Sequence, residues 1–162
     1  GLGAIGQRVA LLANAFGCKV LGYNRSPKAL PHITQVDKDT LLRQSDIITV
    51  HLPLNPETKA FIGTNEFALM QPHAVLINTA RGPIVSQEAL YNALKKGQIA
   101  GAVDVYDQEP PLPLNLELFN APNLLMLPHM GYATREAFET RLNIVIRNIE
   151  MWLNNTPQNQ VL

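Results

Sequence analysis

Three residues of this chain could share one piece of chemistry: Arg81, Glu109 and His129. A histidine can give or take a proton near neutral pH, and a nearby carboxylate favours its protonated form and fixes its ring. An arginine fork can hold an anion and polarise a carbonyl beside it. Arg81 follows the apolar run Ala74-Val75-Leu76-Ile77-Asn78 and precedes Gly82, which would point it into a cleft. A bidentate grip on a carboxylate and a structural ion pair both fit that placement. With a nicotinamide supplying hydride, His129 the proton and Arg81 the anion site, the trio would serve reduction of a 2-oxo acid.

A nucleotide site is suggested by the first six residues. Gly1-Leu2-Gly3-Ala4-Ile5-Gly6 spell the G-x-G-x-x-G turn that seats a dinucleotide pyrophosphate on a helix N-terminus. The same pattern also occurs as a plain tight turn. Ile5, Val9, Leu12, Ala13 and Phe16 follow at helical spacing, Gly17 ends the helix, and residues 19–23 read as a strand. The strand that should lead into the turn is absent, so the chain is expected to be an excerpt or a truncated product. After residues 19–23, Asn24-Arg25-Ser26 stand where an NAD site usually carries an acid for the ribose 2′-hydroxyl. Arg25 could pair with a 2′-phosphate, with Asn24 and Ser26 adding neutral hydrogen bonds, which favours NADP(H) over NAD(H). A solvated arginine beside an NAD site is the alternative.

These residues must be delivered by alternating elements. Residues 38–44, 65–70 and a stretch opened by Ser86 read as helices, the last with Ala89, Leu90, Ala93 and Leu94 buried. Residues 47–52, 74–78, 99–106 and 124–129 read as strands, with 47–52 covered on both faces and 74–78 buried. Their ends bring Leu52, Pro53, Thr58, Thr79 and Ala80 to the carboxyl edge, where open α/β sheets bind ligands. His51, which ends one strand, reads as structural. Thr134 caps a long helix with Phe138, Leu142, Val145, Ile146, Ile149, Trp152 and Leu153 on one broad stripe. The expected fold is α/β, a Rossmann-type doubly wound parallel sheet lacking its first strand. Its expected domains are a dinucleotide-binding domain over 1–133 and a C-terminal helix and tail over 134–162.

The 162 residues, 46% hydrophobic and 16% charged with a formal net charge of zero, suit one buried domain. Zero net charge supplies no basic field for nucleic acid, and the short apolar runs exclude a membrane-spanning helix. The single cysteine, Cys18, precludes an internal disulfide, reads as a small buried residue at a strand start, and fits a reducing, cytoplasmic setting.

The glycine turn, Asn78-Thr79-Ala80-Arg81-Gly82, Gly101-Ala102-Val103-Asp104-Val105-Tyr106 with Glu109-Pro110, and Pro128-His129-Met130-Gly131 together resemble the D-isomer-specific 2-hydroxyacid dehydrogenases. The resemblance runs through nearly the whole chain. It implies an NAD(P)-dependent interconversion of a small 2-oxo acid and a D-2-hydroxy acid. Arg81 would bind substrate, Glu109 would partner His129, and His129 would act as acid–base. Gly3, Ala4, Ile5, Gly6, Thr79, Asp104 and Gly131 would line the cofactor cleft, with Asp104 at the nicotinamide carboxamide. The turn at Asn24-Arg25-Ser26 resembles the NADP(H)-preferring glyoxylate and hydroxypyruvate reductases. The resemblance also implies a homodimer and a second, substrate-binding domain absent from this chain, without which the chain would be inactive. A non-catalytic dinucleotide sensor, like the C-terminal-binding corepressors, is the competing expectation.

Overall fold

A computed structural model describes residues 1–109 and 111–160. The chain divides into two compact units, Gly1–His129 and Met130–Leu162.

In the first unit, helix α1 (Ala4–Ala15) leaves the glycine turn and leads through Gly17, at φ 85°, to β1 (Leu21–Gly22), which pairs in parallel with β2 (Thr34–Gln35). Helix α2 (Lys38–Gln44) is started by Asp37, whose carboxylate accepts the Thr40 N–H at 2.8 Å. Strand β3 (Ile47–Val50), helix α3 (Thr64–Leu69), β4 (Val75–Asn78), helix α4 (Gln87–Lys95), β5 (Ala100–Val103) and β6 (Leu124–Met126) complete it. The order β3-β4-β5-β6 is parallel throughout. Ser86 caps α4 by accepting from Ala89 N–H, and the expected stripe Ala89, Leu90, Ala93 and Leu94 is buried. It packs with Leu76, Ile84, Phe67 and Val103 into one core.

The sheet is divided. β1 and β2 share no ladder with β3–β6, and a cavity of about 410 Å³ between them is lined by residues of α1, β1 and β3, Gly6, Ala10, Leu21 and Ile47 among them. Strands are shorter than the sequence suggests, because the apolar runs continue past the last ladder partner into the edge loops. β1 covers Leu21–Gly22 rather than 19–23, so Cys18 lies in the turn before it and is exposed, not buried. In helix α1, Gly6 and Ala10 are buried, whereas Ile5, Leu12 and Phe16 are 69%, 54% and 88% exposed. Small residues let that face of the helix approach the turn, and the larger apolar ones are left outside.

The second unit is helix α5 (Arg135–Leu153), capped by Thr134 Oγ1 accepting from Ala137 N–H at 3.1 Å. Its apolar stripe, including Phe138, Leu142, Ile149 and Trp152, is exposed. Among the described residues no helix is long and apolar enough to cross a membrane.

Candidate active site

The ladder register explains how distant residues reach one edge. Val50 pairs with Asn78, Asn78 with Val103, and Val103 with Met126, so four strands end in one row. The loops leaving that row carry Leu52, Pro53 and Thr58, then Thr79, Ala80 and Arg81, then Asp104 and Glu109, then His129. Pro110 of the motif lies outside the described residues, and Gly131 belongs to the second unit.

Glu109 and His129 meet: Nδ1 of the ring is 2.5 Å from Glu109 Oε2. His129 holds a left-handed backbone, φ 56°, a conformation that costs energy outside glycine and is concentrated at functional sites. The pair is partly solvated, with side chains 33% and 53% exposed, so its use is orientation more than stability. Arg81 is exposed, and its Nη1 donates to the Ala80 carbonyl at 2.6 Å. Among the described residues no carboxylate pairs with it.

Three groups that sequence reasoning did not single out hold these loops. Asn78, 1% exposed, donates to the Arg81 carbonyl and accepts the Ala80 N–H, both at 3.0 Å, closing the turn that presents Arg81. Gly82 lies so close to the next loop that a Cβ would come within 2.1 Å of the Tyr106 carbonyl oxygen. The Tyr106 hydroxyl donates to the Leu127 carbonyl at 2.7 Å, two residues before His129. Tyr106 thus joins the loops of Arg81, Glu109 and His129. Burial, then the Asp104 charge, pushes its phenol pKa up, so the hydroxyl keeps the proton this bond needs. Burial also raises the Asp107 carboxyl, against an opposing pull from Lys59. Asp104 itself is 2% exposed, and its N–H donates to Asn78 O.

The glycine turn is fixed at two of its three glycines. A Cβ on Gly1 would stand 2.5 Å from His51 O, and one on Gly6 would stand 2.1 Å from Gly1 O. At Gly3 a Cβ would meet nothing within 4 Å, and its φ of −74° suits any residue. Packing therefore accounts for Gly1 and Gly6 but not for Gly3, which stands at the N-cap of α1 without a side-chain cap. Asn24 Oδ1 accepts the Leu2 N–H at 3.1 Å, and Lys28 Nζ and Gln7 Nε2 both donate to Leu2 O. The Ser26 carbonyl accepts from Asn24 Nδ2 at 2.9 Å. Arg25 is paired with Glu57, which the sequence did not suggest. His51 is half-buried with Nε2 3.0 Å from Thr49 Oγ1, a structural setting. Thr58 donates to the Pro53 carbonyl at 2.6 Å, which shapes its loop. Among the described residues no group of three or more His, Cys, Asp and Glu could hold a metal ion.

A glycine turn opening a helix, with parallel strands delivering polar loops to one edge, defines a dinucleotide-binding α/β domain. Residues 1–131 match the model of the D-isomer specific 2-hydroxyacid dehydrogenase family, NAD binding domain, and the chain belongs to that family. It is 46% identical over 154 residues to a glyoxylate reductase of Thermococcus litoralis, a match covering 92% of this chain and 46% of that protein. Among solved structures it resembles an acyclic imino acid reductase in complex with NADPH and D-Arg (37% identity, TM-score 0.87, 100% of this chain and 52% of that one). It also resembles a D-lactate dehydrogenase with NAD+ from Lactobacillus jensenii (33% identity, TM-score 0.89, 100% and 53%). The chain spans about half the length of these relatives.

Proposed function

We propose that this chain is the cofactor-binding half of an oxidoreductase that interconverts a small 2-oxo acid and a D-2-hydroxy acid. The observation that carries the reading is the Glu109–His129 pair at 2.5 Å, set on neighbouring strand ends beside the loop of an arginine that no carboxylate of the described residues neutralises. A dinucleotide fits the other half of the edge. Gly3 leaves open space at the uncapped head of α1, where N–H groups and the helix dipole favour a pyrophosphate. NADP(H) is favoured over NAD(H), because Arg25 at the end of β1 offers a cation to a 2′-phosphate; relatives with NADPH and with NAD+ both exist.

Bound dinucleotide supplies the hydride. Arg81 binds the substrate carboxylate by its planar fork and draws density from the adjacent carbonyl. Glu109 holds Nδ1 of His129, which leaves the transferable proton on Nε2, and His129 donates it to the carbonyl oxygen as the alcohol forms. Asp104 fixes the carboxamide end of the cofactor, and Thr79, Ala80, Leu52, Pro53 and Thr58 wall the cleft. The exposed stripe of α5 supports a domain division at 133, with residues 134–162 returning to a substrate domain; the family resemblance supports a homodimer.

The test is a screen of 2-oxo acids with NADPH and NADH, using the intact natural protein and its His129→Asn variant. We expect turnover of at least one acid and, in the variant, a fall by a factor of 10² to 10⁴, the usual contribution of a positioned acid–base group. Asparagine tolerates the left-handed backbone, so the fold and dinucleotide affinity should be kept. No turnover of any acid by the natural protein would favour a dinucleotide sensor instead.

A further inference from the structure

The end of β1 and the loop after β3 are joined by an ion pair: Arg25 Nη1 lies 3.0 Å from Glu57 Oε2. The two partners flank the glycine turn. Asn24, next to Arg25, accepts the Leu2 N–H, and His51, at the head of the Glu57 loop, abuts Gly1. Side-chain hydrogen bonds hold the backbone that carries Glu57. Asn55 Oδ1 accepts from the N–H groups of both Glu57 and Thr58 at 3.0 Å, and Thr58 is tied to Pro53 O. A carboxylate is thus kept at the corner where Asn24 stands in place of the usual ribose-binding acid, and it arrives from a different loop.

We propose that Glu57 sets how strongly the protein discriminates between dinucleotides with and without a 2′-phosphate, by competing with that phosphate for Arg25. The proposal rests on the reading above that Arg25 contacts the phosphate. A guanidinium offers few edges, and Glu57 occupies the Nη1 side. A phosphate monoester, roughly −1.5 to −2 in charge, must displace the carboxylate and then lie beside it, so like-charge repulsion offsets part of the gain. A ribose 2′-hydroxyl carries no charge and can donate to Glu57, leaving the ion pair intact. Glu57 therefore narrows the preference that Arg25 creates, and it does so by charge, since both side chains are mostly exposed at 84% and 70%.

Glu57→Gln keeps the shape and removes the charge. Wild type, Glu57→Gln and Arg25→Ala are titrated with NADPH and with NADH, following nucleotide fluorescence. The titrations are run at ionic strengths of about 0.01 M and about 0.15 M, where the screening length falls from ~30 to ~8 Å. Glu57→Gln should raise the NADPH-to-NADH affinity ratio roughly two- to fivefold at low salt, mainly through tighter NADPH, and by less at high salt, in line with exposed charge pairs. Arg25→Ala should bring the ratio toward one. If Arg25→Ala lowers the ratio but Glu57→Gln titrates like wild type, or binds NADPH more weakly, the role of Glu57 is overturned while the reading of Arg25 stands. If Arg25→Ala leaves the ratio unchanged, the reading of Arg25 fails and the proposal with it. Both positions are on the surface, and matching thermal melts would show that the variants are folded.

Discussion

The two ends of the ligand edge are held by different means. On the side of Arg81, Glu109 and His129, four paired strands and α4 bury Leu76, Ile84 and Leu94 almost completely, and the loops are locked by a glycine against backbone and a buried asparagine. On the side of the glycine turn and Arg25, two residues of β1 pair with two of β2, and α1 leaves Leu11, Leu12 and Phe16 exposed. There the turn is held by individual hydrogen bonds, from Leu2 N–H to Asn24 and from Lys28 and Gln7 to Leu2 O. The side of Arg81, Glu109 and His129 inherits its geometry from a core that many residues share. On the nucleotide side, geometry depends on single polar contacts, each worth about 1 kcal/mol, and can be retuned by one substitution.

The widest separation between the two sides should appear in large-to-small substitutions. Leu94→Ala, at a side chain 0% exposed, should cost about 2–5 kcal/mol and lower Tm by on the order of 10 °C. Leu12→Ala, at 54% exposure, should stay within about 0.5 kcal/mol of wild type. Thermal melts read both, and a large loss at Leu12 would mean that the outer face of α1 is covered in the folded protein.

A finer separation lies within the glycine turn itself. Gly6→Ala should cost roughly 1–3 kcal/mol, because its Cβ would meet Gly1 O at 2.1 Å and one must move. Gly3→Ala meets no atom within 4 Å, so its melt should match wild type while dinucleotide affinity falls about tenfold or more. Unchanged affinity in Gly3→Ala would remove the nucleotide as the reason for a glycine there, since packing does not require one.

How much of this was legible in the sequence follows the same division. The caps at Ser86 and Thr134, the stripe Ala89-Leu90-Ala93-Leu94 and the parallel core strands are local patterns, and the structure has them where the residues suggest. The loops bearing Arg81, Glu109 and His129 could be ordered because each follows an apolar run. Apart from Glu109 and His129, which the family resemblance pairs, pairings between loops could not be read. Arg25 and Glu57 are 32 residues apart with nothing periodic between them, and Tyr106 meets Leu127 only because β5 and β6 are neighbours. The burial of Cys18 was misjudged for a related reason: a small apolar residue at a strand start suits a core, but only the neighbouring layer decides whether it is covered.

The smallest effect concerns the residue where the two sides touch. His51 follows β3 of the core sheet, and its carbonyl lies against Gly1 of the turn. Burial lowers its pKa below the ordinary 6.5, which disfavours the charged ring in the folded protein. The unfolded chain takes up a proton as pH falls below about 6.5 and the folded chain does so only at lower pH. Stability from this residue is therefore present above pH 6.5 and is lost as pH falls through the folded value. His51→Gln should flatten that part of the stability curve between pH 7 and pH 5, where the wild-type-minus-variant difference isolates the one ring. The loss should also be local. As pH falls, the protection factor of the Leu2 amide in the turn, exchange corrected for its intrinsic pH dependence, should drop before that of Leu76 in β4, because a few hydrogen bonds hold the first and a buried core holds the second. An equal drop at both amides would show that the two sides open as one cooperative unit, in which case the polar contacts of the nucleotide side could not be tuned apart from the core.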